Sequence, residues 1–527
     1  MTIPNHLMLA ALLMASSVVF GATAAKADVV VKTASGDVIG TTVHGMEAWL
    51  GVRYAAPPVG PLRWQPPRPP QPWTTPMKAN AFASSCAQNA DLGDFARAGG
   101  SEDCLFLNVY RSAAHDGQRE KLPVFVWIHG GALQVGQGGD YDPSKLVNEG
   151  KSLVVSVNYR LGVFGFLAHP DLDTEGHAFA NYGLLDQQAA LRWVKQNISA
   201  FGGDPDNVTI AGESSGGNSV MAHIAAPKSA GLFQHAIAMS GAGVMTRHPA
   251  FGAPRPLDVA RKAGTDFSTA VGCENSIARC LRALSTKEIL DAQAPYTLNE
   301  FVVDGEVLPR HPADAYRTGE INRVPLISGS TRDEGRFFVA LPEILTGKTL
   351  SDADYPVWIE RQYGSALAPR VLQRYPLEDF DSPSEAFAAA ATDSMFACTG
   401  QAMNRLLADK MPIYAYEFSD RTAPSYIGPT TFPLLAAHTY ELAYVFPGFR
   451  GGGNVQVALN PAQEMLSDEM VAYFSDVKSL ASRKPSWSRF NAAQDNYMTF
   501  ALPRSRMVSG RFSATHRCDF WDNTGVY

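Results

Sequence analysis

Gly212-Glu213-Ser214-Ser215-Gly216 is the stretch that decides the fold. The apolar run Val208-Thr209-Ile210-Ala211 precedes it, and Asn218 to Ala226 follows with a composition that predicts a helix. A Gly-x-Ser-x-Gly pentapeptide between a strand and a helix is a nucleophile elbow. The turn is too sharp for large side chains on either side of the serine, so glycines flank it. The hydroxyl then stands exposed near a helix N-terminus, where the dipole favours negative charge. A bare pentapeptide is as consistent with a surface turn, and only the flanking elements separate the two readings.

Upstream, His129-Gly130-Gly131-Ala132-Leu133 follows Val124-Phe125-Val126-Trp127-Ile128, a short apolar run that reads as a buried strand. A Gly-rich turn there can aim backbone N–H groups at a substrate oxygen. Glycine supplying positive φ to an ordinary tight turn is the plainer reading. Two such turns in this order, each after a buried strand, favour the first.

The elements around them set the fold class. Leu105 to Tyr110, Leu153 to Val157, Ala236 to Met239, Pro325 to Ser328 and Ile413 to Phe418 also read as strands. Leu184 to Ile198 and Pro461 to Phe474 read as helices. This alternation from Leu105 onward predicts an α/β protein with a mostly parallel central sheet and helices on both faces. Val29 to Tyr54 carries short alternating runs expected of an antiparallel edge, and Pro57 to Pro76 reads as an extended surface segment. Pro249 to Val303 and Leu341 to Ala390 read as helical insertions forming a cap. In open α/β sheets ligands bind beyond the carboxyl ends of the strands, where both Gly-rich turns fall.

The 527 residues are 46% hydrophobic and 18% charged, with a formal net charge of −7, a globular composition. No basic stripe points to nucleic acid. No Cys/His spacing points to a metal, and no Gly-x-Gly-x-x-Gly turn to a nucleotide cofactor. Residues 1–27 read as a signal peptide, with an apolar region from Leu7 to Phe20 and a small-x-small site at Ala25-Lys26-Ala27. The apolar run is short for a membrane anchor. Residues 28–527 then form one domain, secreted or periplasmic, of open oligomeric state. The six cysteines fit an oxidising compartment, and their spacing suggests Cys86 with Cys104, Cys273 with Cys280, and Cys398 with Cys518.

A serine hydroxyl needs an adjacent base, usually histidine. After Ser214 come His223, His235, His248, His311, His438 and His516. The chain order serine, acid, histidine favours His438, which follows the strand Ile413 to Phe418 by a loop. The acid is expected after the strand starting at Pro325, in Thr331-Arg332-Asp333-Glu334-Gly335, but spacing does not separate Asp333 from Glu334.

The residues together resemble the type-B carboxylesterases, the branch of the α/β-hydrolases that includes cholinesterases. The likeness is carried by the segments Gly51 to Gly60, Ser101 to Asn108, Asn158 to Leu167, Asn181 to Gln187 and Phe201 to Pro205, leading into the elbow. It implies Ser214 as nucleophile, Glu334 as acid and His438 as base. It also implies an oxyanion hole from the N–H groups of Gly131, Ala132 and Ser215, with Gly130 shaping the turn. Glu213, Ser240 and Glu441 match a polar cluster beside the triad. The three cysteine pairs match the family's disulfides, and Arg63 with Glu102 and Arg160 with Asp186 match its ion pairs.

There are departures. Ala132 stands where many relatives have a third glycine, and Ser215 where alanine is usual. The loop from Cys86 to Cys104 holds Phe95 but no tryptophan to face a quaternary ammonium, which argues against choline esters. Phe337 and Phe338 read equally as acyl-pocket lining or core. The expectation is a hydrolase of small-molecule carboxylic esters without a cofactor. Amides, lactones or thioesters on the same triad, or a non-catalytic binding protein, are the alternatives.

Overall fold

A computed structural model describes residues 29–527 apart from 91, 93–95, 116–119, 178–179, 297, 452, 454 and 456. The segment 1–27 and Phe95 lie outside the described residues.

Fifteen strands occur among the described residues. In chain order they are β1 (Val29–Thr33), β2 (Gly36–Val43), β3 (Met46–Arg53), β4 (Met77–Lys78), β5 (Phe106–Ser112), β6 (Leu122–Ile128), β7 (Leu153–Val157) and β8 (Gly203–Glu213). They continue with β9 (His235–Met239), β10 (Arg255–Pro256), β11 (Val302–Val303), β12 (Leu326–Thr331), β13 (Ile413–Phe418), β14 (Tyr497–Phe500) and β15 (Arg506–Val508). Thirteen form one sheet in the order β1-β2-β3-β5-β7-β6-β8-β9-β12-β13-β14-β15, with β4 beside β2. Its middle, from β7 to β14, is parallel throughout, and both edges are antiparallel apart from the short parallel pair of β2 with β4.

The expected parallel start at Leu105 needs correction. β5 runs antiparallel to both β3 and β7. β5 therefore belongs with the antiparallel edge. β8 is also longer than the expected Val208 to Ala211, whereas the Pro461–Phe474 helix has the expected bounds.

Strand β6 shows why both faces are covered. Val124, Val126 and Ile128 enter one apolar core, with Leu184, Leu191 and Val194 of the Tyr182–Asn197 helix. Phe125 and Trp127 enter a second, with Leu466, Met470 and Phe474 of the Pro461–Phe474 helix. Successive side chains of a strand point to opposite faces, so a continuous apolar run needs a layer on each side. Cys86–Cys104, Cys273–Cys280 and Cys398–Cys518 are joined as disulfides.

The register of the central strands positions the site. β6 pairs with β8 so that Ile128 faces Gly212, and β8 pairs with β9 so that Glu213 faces Met239. The two Gly-rich turns therefore leave the sheet side by side.

Candidate active site

The elbow is built by backbone contact. Ser214 has φ 56° and ψ −124°, a conformation that a non-glycine residue rarely adopts and that costs on the order of 1–3 kcal/mol. It is held at both ends: its N–H donates to Met239 O at 2.9 Å, and its carbonyl accepts from Asn218 N at 2.8 Å. The flanking glycines are required by proximity. A Cβ on Gly216 would lie 2.1 Å from Ile128 O, and one on Gly130 would lie 2.7 Å from Glu213 O. The two turns thus touch through atoms that leave no room for a side chain.

The upstream turn runs through three consecutive positive φ values, 101° at Gly131, 56° at Ala132 and 56° at Leu133. Ala132 is in the left-handed region, at a cost of about 1 kcal/mol relative to glycine. Three hydrogen bonds pin the turn. Leu133 N donates to Ser215 Oγ at 3.1 Å, Gly162 N to Leu133 O at 2.7 Å, and Asn299 Nδ2 to Ala132 O at 2.9 Å. The N–H groups of Gly131, Ala132 and Ser215 donate to no other described residue. Unpaired backbone donors beside a buried turn are a vacancy for an acceptor.

The acid and the histidine are assembled from side chains. Glu334 is fully buried; its Oε1 accepts from Ser240 Oγ at 2.5 Å and Thr331 N at 2.8 Å. Its Oε2 lies 2.5 Å from His438 Nδ1. Asp333, the adjacent carboxylate, faces elsewhere. It takes two hydrogen bonds from Arg421, at 2.8 and 3.0 Å, and one from Ala436 N at 3.3 Å. It thereby anchors the loop that carries the histidine.

His438 Nε2 lies 3.1 Å from Glu213 Oε1, without the alignment of a hydrogen bond, and no hydrogen bond joins the ring to Ser214 Oγ. Contacts between a nucleophile and its base are often loose before substrate arrives. Both carboxyl oxygens of Glu213 and of Glu441 are buried without hydrogen-bond partners among the described residues. Burial, with Glu441 and Glu334 alongside, holds Glu213 well above the usual carboxylate range. Burial and Glu334 do the same to Glu441. In both, burial away from water and the neighbouring carboxylates disfavour the charged form.

A cavity of about 210 Å³ opens above Ser214. Ala132, Leu133, Ser215 and Asn218 form its floor, and Phe251, Phe301, Phe338, Met395 and Phe396 its apolar walls. Phe338 and Phe396 also stack near the His438 ring, with centroids 4.8 and 5.1 Å away. The two phenylalanines after the acid divide: Phe338 is 38% exposed and lines the cavity, whereas Phe337 is 4% exposed and packs in the core.

The expected cap is partly corrected. Ala250 to Gly252 and Asn299 to Phe301, from the ends of the first insertion, line the cavity, and that insertion includes the parallel pair β10 and β11 as well as helices. The stretch from Leu341 to Ala390 contributes no described lining residue. The wall comes instead from its flanks, Phe338 and the Thr392–Ala397 π-helical turn that carries Met395 and Phe396. Nothing in the local sequence marks that turn, nor the Asn299 tether or the Arg421 partner of Asp333.

The profile of the Carboxylesterase family matches residues 27–521. The chain is 36% identical over 460 residues to the para-nitrobenzyl esterase of Bacillus subtilis (strain 168), covering 84% of this chain and 86% of that one. It is 32% identical over 544 residues to the acylcarnitine hydrolase of Mus musculus, covering 96% and 92%. A thermophilic PNB esterase structure superposes with a TM-score of 0.77 at 31% identity, covering 93% of this chain and 99% of that one. The chain belongs to the carboxylesterase family and is a carboxylic-ester hydrolase.

Proposed function

We propose that residues 28–527 form a single secreted domain that cleaves small-molecule carboxylic esters with Ser214 as nucleophile, His438 as base and Glu334 as the acid that orients it. The observation that carries this reading is the pairing of His438 Nδ1 with the buried Glu334, beside an elbow that presents Ser214 to an apolar cavity. His438 Nε2 takes the proton of Ser214 as Oγ attacks the ester carbonyl. Glu334 stabilises the imidazolium. The N–H groups of Gly131, Ala132 and Ser215 receive the oxyanion, each donor of this kind contributing roughly 3–4 kcal/mol. His438 returns the proton to the departing alcohol. Water, activated by the same ring, then releases the acid.

Three disulfides support an oxidising destination, with residues 1–27 as the leader. Relatives include a cocaine esterase of Homo sapiens and a pyrethroid hydrolase of Mus musculus, named for esters of very different shape. The test is hydrolysis of p-nitrophenyl acetate by the purified protein. Ser214→Ala is expected to lower turnover by on the order of 10⁴-fold or more. Turnover that survives this substitution removes Ser214 from the mechanism.

A further inference from the structure

The polar groups of the cavity are nearly all engaged. Asn299 donates to Ala132 O, Glu300 is ion-paired with Arg255, and Ser215 Oγ accepts from Leu133 N. Asn218 differs. It sits one helical turn after Ser214, and its carboxamide makes no hydrogen bond to another described residue. Its Oδ1 is buried and unpartnered. The carboxamide has been given a seat: it lies over Gly243, where a Cβ would come within 3.0 Å of Nδ2 and 3.2 Å of Oδ1. Asn218 as a whole is half-buried, and a buried amide oxygen left without a partner costs on the order of 1–3 kcal/mol. A ligand group that completes it recovers that cost, and one that covers it with carbon does not.

We propose that Asn218 is a specificity-determining residue, and that the preferred substrates are esters bearing a hydrogen-bonding substituent, a hydroxyl or an amide, close to the scissile carbonyl. Asn218 N lies 2.8 Å from Ser214 O, and both residues line the same cavity. The carboxamide therefore addresses the atoms next to the ester and not the far end of a long chain. The apolar walls of Phe251, Phe301, Phe338 and Phe396 take the remainder. The proposal rests on the reading of Ser214 as nucleophile.

The test compares pairs of esters that exchange a hydroxyl for a methyl group. Methyl 3-hydroxybutanoate is set against methyl 3-methylbutanoate for the acyl side, and 2-hydroxyethyl butanoate against propyl butanoate for the alcohol side. In the wild-type protein, kcat/KM for the hydroxylated member of at least one pair should exceed that of its isostere by about tenfold. Asn218→Leu and Asn218→Ala should each bring that ratio to unity or below, and Asn218→Ser should restore part of it. A wild-type ratio below about threefold in both pairs overturns the proposal without any variant. So does a ratio that persists in whichever of the two apolar variants folds, since the carboxamide then serves only water. p-Nitrophenyl acetate separates the two levels of inference. No Ser214-dependent turnover means the hydrolase reading has failed, whereas normal turnover with unchanged ratios means that only the role of Asn218 has.

Discussion

The two halves of the site are held by opposite means. Around Ser214 and the Gly130–Ala132 turn, backbone rests on backbone, and the absence of side chains is what permits the fit. Around His438, the fixing contacts run chiefly through side chains reaching across the molecule: Glu334 to the ring, Ser240 to Glu334, and Arg421 to Asp333. The first half tolerates almost no added atom. The second depends on partners that cannot be lost. The comparison teaches where each kind of substitution will act.

Gly216→Ala should have the largest effect. Its new Cβ would meet Ile128 O at 2.1 Å, and backbone carbonyls of a central strand cannot give way. Loss of soluble folded protein and of all esterase activity is expected; a stable, active variant would mean the turns are not in contact. Glu334→Gln comes next, with kcat down roughly 10³–10⁴-fold and little change in Tm, because the ring loses its charge partner while the packing stays. Asp333→Asn should do the reverse, costing about 1 kcal/mol of stability through its pair with the half-exposed Arg421 and only a modest fraction of kcat. Equal kinetic losses from the two carboxylates would erase the division of labour between them.

The half built from side chains should also respond more to pH. His516 is buried between Asp393 and Glu417, at 2.8 Å from each, and Asp393 belongs to the turn that carries Met395 and Phe396. Burial works against its charge, but the bonds to Asp393 and Glu417 push it up to about 10. The folded-state value thus exceeds the ordinary one near 6.5. Its contribution is full below about pH 6.5 and declines toward pH 10, by roughly 1 kcal/mol per pH unit. Chemical denaturation across that range should find His516→Gln less stable than wild type at pH 6, with the gap closing by pH 10. A constant gap would mean that the charge is not what the network stabilises. The smallest effect belongs to Ala132→Gly. Relief of the left-handed alanine offsets the entropy glycine adds to the unfolded chain, so stability should change by less than about 1 kcal/mol. Any change in kcat then reports directly on the stiffness of the turn.

This contrast also explains what was legible in the sequence. A site half that needs glycine at fixed offsets writes itself into a pentapeptide, so the elbow, its upstream partner and their strands are read from local pattern. The other half is written in pairs far apart in the chain. Asp333 and Glu334 are indistinguishable by spacing because Arg421 and His438, their different partners, lie about a hundred residues downstream. β5 was misplaced among the parallel strands for a similar reason: strand composition carries no direction, and only the pairing with β3 and β7 reveals it. The cavity wall escaped because a π-helical turn has no sequence signature of its own, and the cap was expected at Leu341 to Ala390 on composition alone.

With the oxyanion role proposed for Gly131, Ala132 and Ser215, the pairing of Ile128 with Gly212 would make strand register a kinetic parameter. One residue inserted into β6 after Val124 would preserve a parallel ladder, yet it would carry the amide donors along the strand by about 3.3 Å. Transition-state stabilisation by such donors is lost over displacements far smaller than that. Homologues can therefore trade loops freely at the cap while these five rungs stay at constant length. Attempts to graft new specificity onto this scaffold should begin at the rim and leave the ladder alone.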